Sequence, residues 1–441
     1  MANGVVEDFQ PDELVVALPD LGVVQKALTD LHVAFREKDD DERLGLALLS
    51  MDNVAAATGE LRRENPGLVQ RVKAAKWPDD PPQQTEPPDL DVLLRKLREV
   101  LRADYGGWIP EVGKNRMIAP VRGFPYVGGC TEGDPTELGF ADPQPPPANG
   151  GEPPGWRPRP TEPGQGVRVG LLDTEVYPHP WLNGGYFATP DDLLEASGPG
   201  GDPPWATEGH ATFIAGLILH RAPGAGLIVR SVMGPDARGK TWGVAKAMAQ
   251  FAGTGVDILN LSFGCYTDDG QPPLVLAKAV SLVSPQILLV AAAGNHGDIE
   301  QLKAAHKPEA AADWTTNLKN NMPVWPGAFA EVTAVGATDG DGRLAPFSPR
   351  VPWVDVTAPG VDVESTYLKG KVRLTLPNGK PTAVFHGFAR WQGTSFAAGN
   401  VSGAVAAKIG RGRDAGQALE AVLKDPKEHI WPFQMSEAAG A

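Results

Sequence analysis

Residues 167–173 read VRVGLLD, an apolar run that ends in the carboxylate of Asp173. A strand that is apolar on both faces is typical of a parallel sheet covered by helices on both sides. Similar apolar runs recur downstream, at 226–232, 256–261, 287–292 and 332–335. Helical patterns lie between them, at 242–252 and 274–283. This alternation predicts an α/β domain with a mostly parallel sheet and helices on both faces.

Four residues with catalytic chemistry lie at strand ends or helix starts of this predicted domain: Asp173, His210, Asn295 and Ser395. Polar groups at the carboxyl ends of parallel strands meet at one edge of the sheet. A serine hydroxyl becomes a good nucleophile when an imidazole takes its proton, and a carboxylate then orients that imidazole. Each residue alone is more often a cap or a turn residue. Their combination predicts nucleophilic catalysis.

The order Asp, His, Asn, Ser, each in its local context, resembles the subtilisin-like serine peptidases. The resemblance covers about residues 166–410 and includes EGHATFIAG at 208–216, AAAGN at 291–295 and GTSFAA at 393–398. Further similar segments follow the family's order, namely HPWL at 179–182, NLSFG at 260–264, VGA at 335–337, FS at 347–348 and APG at 358–360. The resemblance therefore implies a subtilisin-like fold and peptide-bond hydrolysis.

The resemblance also implies a role for each of the four residues. Ser395 would be the nucleophile, and His210 the general base that later protonates the leaving amine. Asp173 would orient His210. Asn295 would donate its side-chain amide to the oxyanion beside the backbone N–H of Ser395.

The resemblance implies a groove in which the substrate peptide adds as an extended strand. Two segments would wall its primary pocket, Ser262-Phe263-Gly264 and Ala292-Ala293-Gly294. The small side chains there leave room for a sizeable substrate residue. Cys265 follows the first segment, where family members often have glycine, and we interpret it as a packing residue.

Three other residues could compete for catalytic roles. His179 is flanked by prolines only six positions after Asp173, and we interpret it as structural. His296 follows Asn295, and we expect it to line the leaving-group side. Asp257 precedes an apolar strand and is interpreted as structural.

The sequence departs from the family pattern near the proposed nucleophile and carboxylate. Glu175 replaces a glycine two residues after Asp173, Phe213-Ile214 replace the residues usual after His210-Ala211-Thr212, and Gly399 replaces a proline. None of these changes removes a catalytic group. An inward Glu175 would raise the pKa of Asp173, and we expect Glu175 to point outward into solvent.

The N-terminal 141 residues follow a different pattern, which predicts a small α+β domain. Strands are predicted at 14–18, 44–49 and 117–121, and amphipathic helices at 23–35 and 90–101. A Pro- and Gly-rich linker spans 142–165, and the peptidase domain spans 166–441. Two roles for residues 1–141 stay open. They could be a propeptide-like inhibitor that binds the peptidase domain and is cut off between 142 and 166, or a permanent recognition domain for a partner protein.

Composition excludes several classes of function. The chain has 40 Lys and Arg against 54 Asp and Glu, a net charge of −14, which argues against nucleic acid or an anionic membrane as a partner. We expect a cytoplasmic protein, because the N-terminus has no secretory pattern and no run of 18 apolar residues occurs. The two cysteines, Cys130 and Cys265, suit a reducing compartment.

No cofactor or metal is predicted. Calcium is common in the family, but Asp191-Asp192 and Asp268-Asp269 lack persuasive ligand spacing and are interpreted as solvated loop charges. Insertions at 299–321 and at 371–385, the second with the pattern of a hairpin, are expected to shape substrate access.

Two functional hypotheses follow. The first is an intracellular serine endopeptidase that processes one or a few proteins or precursor peptides. The alternative is a catalytically silent scaffold with the same fold, which binds a partner protein or peptide.

Overall fold

The structure is a computed structural model of the 441-residue chain. It describes residues 9–73, 86–120, 136–137, 163–195, 202–267, 269–297, 322–374, 382–409 and 413–434. The chain divides into two compact units. The first unit contains Met1–Met117, Lys240–Ala249 and Tyr266–Leu282, and the second contains Ile118–Gly239, Gln250–Cys265 and Val283–Ala441.

The helices of the described residues are numbered along the chain: α1 Leu21–Asp30, α2 Val54–Glu64, α3 Pro66–Lys73, α4 Asp89–Asp104, α5 His210–Arg221, α6 Thr241–Phe251, α7 Leu274–Val283, α8 Thr394–Lys408 and α9 Ala415–Leu423. The strands are β1 Phe9–Ala17, β2 Phe35–Asp41, β3 Leu46–Met51, β4 Val112–Pro120, β5 Thr136–Glu137, β6 Arg168–Asp173, β7 Tyr186–Phe187, β8 Gly226–Ser231, β9 Gly239–Lys240, β10 Ile258–Leu261, β11 Phe263–Gly264, β12 Leu288–Ala292, β13 Val332–Thr338, β14 Val356–Pro359, β15 Val363–Arg373, β16 Thr382–Trp391 and β17 Trp431–Pro432.

The second unit is built on an eight-stranded sheet with the order β17-β14-β13-β12-β10-β6-β8-β7. All neighbouring strands are parallel except β14 and β17, which pair antiparallel. The strands β6, β10 and β12 are almost entirely buried, as their continuous apolar sequences require. The predicted α/β class with a mostly parallel sheet is confirmed.

Helices α5 and α8 carry two of the predicted catalytic residues, and they pack closely because glycine lies at their contact. A Cβ atom on Gly403 would come within 3.0 Å of the backbone of Ile218. A Cβ atom on Gly399 would lie 3.3 Å from the side chain of Ile214. Helix α8 is buried from Thr394 to Ala406. The departure at Gly399 therefore lies at a tight helix–helix contact.

The first unit contains an antiparallel sheet with the order β4-β1-β3-β2. Apolar side chains of β1, β3, α1, α2 and α4 form its core. Polar contacts join this sheet to residues 240–249, since the Asp39 carboxylate accepts hydrogen bonds from Trp242 Nε1 at 2.8 Å and from Lys246 Nζ at 2.6 Å. Glu111 forms an ion pair with Lys278 at 2.6 Å. Residues from the middle of the chain thus belong to this unit.

Most predicted elements are found, with two corrections in the N-terminal part. The helix predicted over 23–35 ends at Asp30, because His32 has a positive φ of 56° and Phe35 begins β2. The strand predicted at 117–121 is the end of a longer strand that begins at Val112. The hairpin predicted at 371–385 is confirmed as part of the longer pair β15–β16.

Several predicted segments lie outside the described residues: most of the linker 142–165, the insertion 299–321, the hairpin turn 377–380 and Cys130. The domain boundaries at 141 and 166 stay a prediction.

Candidate active site

The fold of the second unit places the four predicted residues at the ends of buried elements. Asp173 is the last residue of β6, and Asn295 follows β12 by three residues. His210 begins α5, and Ser395 is the second residue of α8. Local sequence explains these positions, because each apolar strand ends where a polar residue follows and each helix starts beside a glycine.

Asp173 and His210 form a closed pair in the interior. His210 Nδ1 lies 2.8 Å from Asp173 Oδ1 and 2.9 Å from Oδ2. Asp173 Oδ1 also accepts a hydrogen bond from the Thr174 backbone N–H at 2.7 Å. A carboxylate can only accept here, so Nδ1 carries the proton and Nε2 is the nitrogen that can take one. This tautomer is the one that a general base needs.

Phe396, the residue that follows Ser395, packs against the His210 ring and brings the start of α8 next to this pair. The ring of Phe396 lies 5.4 Å from the His210 ring, and the Trp391 ring contacts His210 edge-on at 5.8 Å. The Ser395 hydroxyl donates to the backbone carbonyl of Ser262 at 3.1 Å. Two aromatic rings thus fix the imidazole plane beside the start of α8.

Asn295 is oriented by the residue that precedes Ser395. Its Oδ1 accepts a hydrogen bond from the Thr394 backbone N–H at 3.0 Å and lies 2.9 Å from Thr394 Oγ1. Because the oxygen is held by Thr394, the amide nitrogen points to the other side. The start of α8 therefore positions both the hydroxyl of Ser395 and the amide of Asn295.

All four residues are closed off from solvent. Asp173, Asn295 and Ser395 are 0% exposed, and His210 is 1% exposed. A low local dielectric strengthens every hydrogen bond in such a site. It also means that a substrate cannot reach the site without some rearrangement.

The predicted groove segments lie beside Ser395. Ser262 Oγ is 3.0 Å from the Ser395 carbonyl, and Ala292 and Ala293 are fully buried. Gly294 has a φ of 110°, and a Cβ atom there would come within 2.8 Å of the His296 ring. In the second unit, Phe263 and Gly264 pair antiparallel with two residues at the end of β4, with Phe263 opposite Pro120 and Gly264 opposite Ala119. The groove edge that the resemblance reserves for a substrate strand is therefore already paired.

His179, Asp257 and His296 each contact residues other than Asp173 and His210. His179 is 3% exposed, and its Nδ1 accepts a hydrogen bond from the Trp181 backbone at 3.1 Å, which caps a short 3-10 helix. Asp257 accepts a hydrogen bond from the Arg168 backbone at 2.8 Å. Burial lowers the pKa of His296 to about 4, although a hydrogen bond with the Met322 backbone acts in the opposite direction. These residues have structural contacts.

Two acidic residues differ from expectation. Glu175 is half-buried rather than solvated, and burial raises its pKa, to which the charges of Glu208, Glu195 and Asp192 add. Asp192 is 5% exposed and accepts a hydrogen bond from the Ser231 backbone at 2.8 Å, so it is not a solvated loop charge. The strand–loop packing around β8 buries it, which its sequence context does not show.

His179 is expected to make stability depend on pH. Burial lowers its pKa from the ordinary 6.5 to about 4. Between these values the unfolded chain binds a proton that the folded chain excludes, so the free energy of unfolding falls as the pH drops from about 6.5 toward 4. His179→Asn keeps an oxygen acceptor for the cap but does not titrate.

Urea unfolding at pH 7 and pH 5 measures this effect. Between pH 7 and pH 5 the free energy of unfolding of the wild type should fall by about 2 kcal/mol more than that of His179→Asn. The exposed His32→Asn is the matched control and should behave as the wild type. Equal losses in wild type and His179→Asn would show that His179 accepts a proton in the folded state.

Two contributors were missed from the sequence. Thr394 holds Asn295, and it could have been found because it directly precedes Ser395 in a quoted motif. Trp391 packs on His210 from the end of β16, and nothing in its local sequence marks that contact.

The described residues contain no group of three or more His, Cys, Asp or Glu side chains that could hold a metal ion. No helix within the described ranges is long and apolar enough to cross a membrane.

Comparison with known proteins assigns the class to which this fold and site belong. The model of the Subtilase family matches residues 164–418, more than half of the chain. The chain belongs to this family and is a subtilisin-like serine endopeptidase, as the sequence predicts.

Individual relatives are similar over the same region. Subtilisin BL from Lederbergia lenta is 31% identical over 255 residues, which cover 55% of this chain and 76% of that protein. An intracellular serine protease from Paenibacillus polymyxa is 31% identical over 259 residues, which cover 55% of this chain and 66% of that protein. Among solved structures, a lanthipeptide protease aligns with a TM-score of 0.45 at 25% identity and covers 58% of this chain and 79% of its own.

Proposed function

We propose that Asp173, His210 and Ser395 form a catalytic triad that cleaves peptide bonds through an acyl-enzyme. The observation that carries this proposal is the buried contact of His210 Nδ1 with both oxygens of Asp173, at 2.8 and 2.9 Å, beside the start of α8. This contact sets the tautomer that accepts the proton of Ser395. His210 then returns the proton to the leaving amine, and a water molecule hydrolyses the ester.

Ser395 must first turn toward His210. Its hydroxyl donates to the Ser262 carbonyl at 3.1 Å. A rotation about the Cα–Cβ bond would bring the oxygen to Nε2, and such hydrogen bonds often tighten only when substrate binds.

Asn295 would donate its amide to the oxyanion, together with the Ser395 backbone N–H at the start of α8. Asn295→Ala is expected to lower turnover by about 10²–10³-fold with a smaller change in KM, as loss of such a donor does in subtilisin. Steady-state hydrolysis of a chromogenic peptide measures both parameters. Asn400→Ala makes the same change on α8 and is the control. The Asn400 amide donates to the Pro359 carbonyl at 2.9 Å and not to any of the four candidate residues. An Asn295 variant as active as this control would remove Asn295 from the mechanism.

The substrate would bind as a strand along Ser262-Phe263-Gly264, with Ala292-Ala293-Gly294 as the opposite wall. We propose one or a few proteins or precursor peptides as substrates, cleaved inside the cytoplasm. The similarity to a protein named intracellular serine protease supports this location. A closed site also suits restricted processing better than general digestion.

The N-terminal part would keep the enzyme latent as a propeptide-like inhibitor. Two observations favour this role over a permanent recognition domain. Ala119 and Pro120 pair with Gly264 and Phe263 on the groove edge, and all four catalytic groups are at most 1% exposed. A peptide cannot add to an edge that is already paired.

The register of this pairing predicts where the enzyme would cut itself. Gly264 is opposite Ala119 and Phe263 is opposite Pro120, so the next position along the groove is Ser262. The carbonyl of Ser262 accepts the Ser395 hydroxyl, so that position lies beside the proposed nucleophile. The residue after Pro120 in the sequence is Val121. We therefore expect self-cleavage after Val121 rather than between 142 and 166.

Labelling of the full chain with a fluorophosphonate, followed by intact mass, tests activity and latency together. Pro120 has no N–H, so of the two paired residues of β4 only Ala119 can donate a backbone hydrogen bond to the groove edge. Ala119→Pro should weaken the pairing and raise the labelling rate at least tenfold. Ala119→Ser keeps the N–H and is the matched control.

The outcomes separate the hypotheses. Faster labelling of Ala119→Pro at Ser395 supports a latent peptidase, and equal rates for both Ala119 variants contradict latency. Absence of labelling in every variant supports the silent scaffold. Fragment masses give the cut, which should end at Val121 and be absent in Ser395→Ala.

A further inference from the structure

A cleft of about 490 Å³ lies in the first unit, formed by α4, β4, the end of α3 and the loop 269–274. Helical spacing sets Asp91, Arg95, Arg98 and Arg102 along one face of α4. Strand alternation sets Lys114 and Arg116 on one face of β4. Together these two faces line a concave surface rich in cations.

The positive charges in this cleft exceed the negative ones by three. Its cations are Arg71, Arg95, Arg98, Arg102, Lys114 and Arg116, and its carboxylates are Asp91, Glu99 and Asp269. This excess stands out in a chain whose net charge is −14. A concave site lined by one sign of charge concentrates ions of the opposite sign.

Each carboxylate already has a partner. Glu99 forms ion pairs with Arg71 at 2.7 Å and with Arg95 at 2.8 Å, and the hydrogen bond from Arg71 helps to lower the pKa of Glu99 to about 2. Asp91 pairs with Lys114. Asp269 accepts the Gln271 backbone N–H at 3.1 Å. Burial lowers the pKa of Arg98, and the nearby charges of Asp269 and Asp91 oppose this effect without forming an ion pair with Arg98.

Three arginines in the cleft form no ion pair with any residue that the structure describes: Arg98, Arg102 and Arg116. Arg98 donates only to the Val112 carbonyl, at 3.2 Å. Arg116 is 8% exposed, and its Nη1 is shielded from solvent without a hydrogen-bond partner. A buried guanidinium without a counter-charge is costly and calls for an ion or ordered water.

We propose that this cleft binds a small organic anion, whose phosphate or carboxylate group is held by Arg98, Arg102 and Arg116. Guanidinium groups match the planar, two-pronged geometry of both oxyanions. The apolar side chains of Leu94, Ile109 and Leu274 in the same cleft would contact the organic part. The volume is within the range of small-molecule sites, roughly 300–1,000 Å³.

The occupant would also stabilise the latent enzyme, an effect that rests on the proposed function. Loop 269–274 is separated from α4 and β4 by more than 140 residues of sequence, yet they line one cleft. A ligand that contacts both favours the arrangement in which they are together. Release of the N-terminal part would then abolish the binding site.

The test uses the full chain with Ser395→Ala, so that neither self-cleavage nor failure of the catalytic proposal affects it. Thermal unfolding and calorimetry are run with inorganic phosphate, phenyl phosphate and benzoate, each against sodium chloride of equal ionic strength. Arg98→Gln/Arg102→Gln removes two of the three arginines proposed to hold the anion. Arg63→Gln removes an exposed arginine outside the cleft and is the control for loss of a positive charge.

We expect at least one of these anions to raise the unfolding temperature, and the Arg98→Gln/Arg102→Gln variant to bind it at least tenfold more weakly than the Arg63→Gln control. The class of anion that binds more tightly, phosphate or carboxylate, then identifies the chemical group that the cleft recognises. Arg116→Met should also lose binding, while its own stability without ligand stays equal or rises. The absence of any effect beyond that of sodium chloride, or equal binding by the control and the double variant, would overturn the proposal.

Discussion

Ser395→Ala is expected to lower peptide hydrolysis by about 10⁶-fold, the loss found when the serine of a subtilisin triad is removed. In the proposed mechanism no acyl-enzyme can form without this hydroxyl, and His210 and Asp173 would have no nucleophile to activate. The loss should fall on turnover, with KM little changed, because the change removes one hydroxyl group and leaves the proposed groove segments 262–264 and 292–294 intact. Self-cleavage should disappear with it.

A chromogenic peptide with the sequence Ile-Ala-Pro-Val, copied from residues 118–121, suits this measurement. The residual activity of Ser395→Ala should be the same in several independent enzyme preparations, because contamination by wild type would vary between them. Ser281→Ala makes the same chemical change at an exposed serine on α7 and should leave the rate unchanged. If Ser395→Ala were hydrolysed and labelled as fast as this control, the nucleophile would be another residue.

Asp173→Asn is expected to lower turnover by about 10⁴-fold while the fold remains intact. An asparagine amide can donate to His210 Nδ1, which would place the imidazole proton on Nε2 and remove its ability to accept one. The wild-type carboxylate instead accepts from Nδ1 at 2.8 and 2.9 Å and from Thr174 N–H at 2.7 Å. The change is isosteric, so the defect should lie in catalysis.

Asp257→Asn provides the comparison, because Asp257 directly precedes β10 and also accepts a backbone hydrogen bond, at 2.8 Å from Arg168. Asp257→Asn should change the unfolding temperature and leave the turnover close to that of the wild type. Asp173→Asn should show the reverse. A turnover for Asp173→Asn within tenfold of the wild type would mean that His210 does not depend on this carboxylate.

Local sequence was sufficient for the elements that position the site. The runs at 256–261 and 287–292 predicted β10 and β12, because strands buried on both faces must be apolar throughout. The helix predicted over 23–35 was too long, since apolar residues at Leu31 and Phe35 continued the helical spacing beyond its true end at Asp30. Periodicity does not distinguish the last turn of a helix from the next strand.

Burial and partners were harder to predict. Asp192 was expected in solvent, yet it lies inside and bonds the Ser231 backbone. Trp391 fixes the His210 ring from a strand 181 positions later. Such contacts join residues distant in sequence, and neither partner carries a local pattern that names the other.

The sequence by itself determined the class of fold, through an α/β alternation that requires a parallel sheet. It also supplied the candidate catalytic residues: an aspartate after an apolar strand, and a histidine and a serine at helix starts. Only the tertiary structure decided which groups meet. It brought His210 onto both oxygens of Asp173, paired Ala119 with Gly264 and set Arg98 and Arg116 in one cleft. The physical reason is that side-chain type and periodicity are local, whereas register, burial and charge compensation depend on segments that only folding brings together.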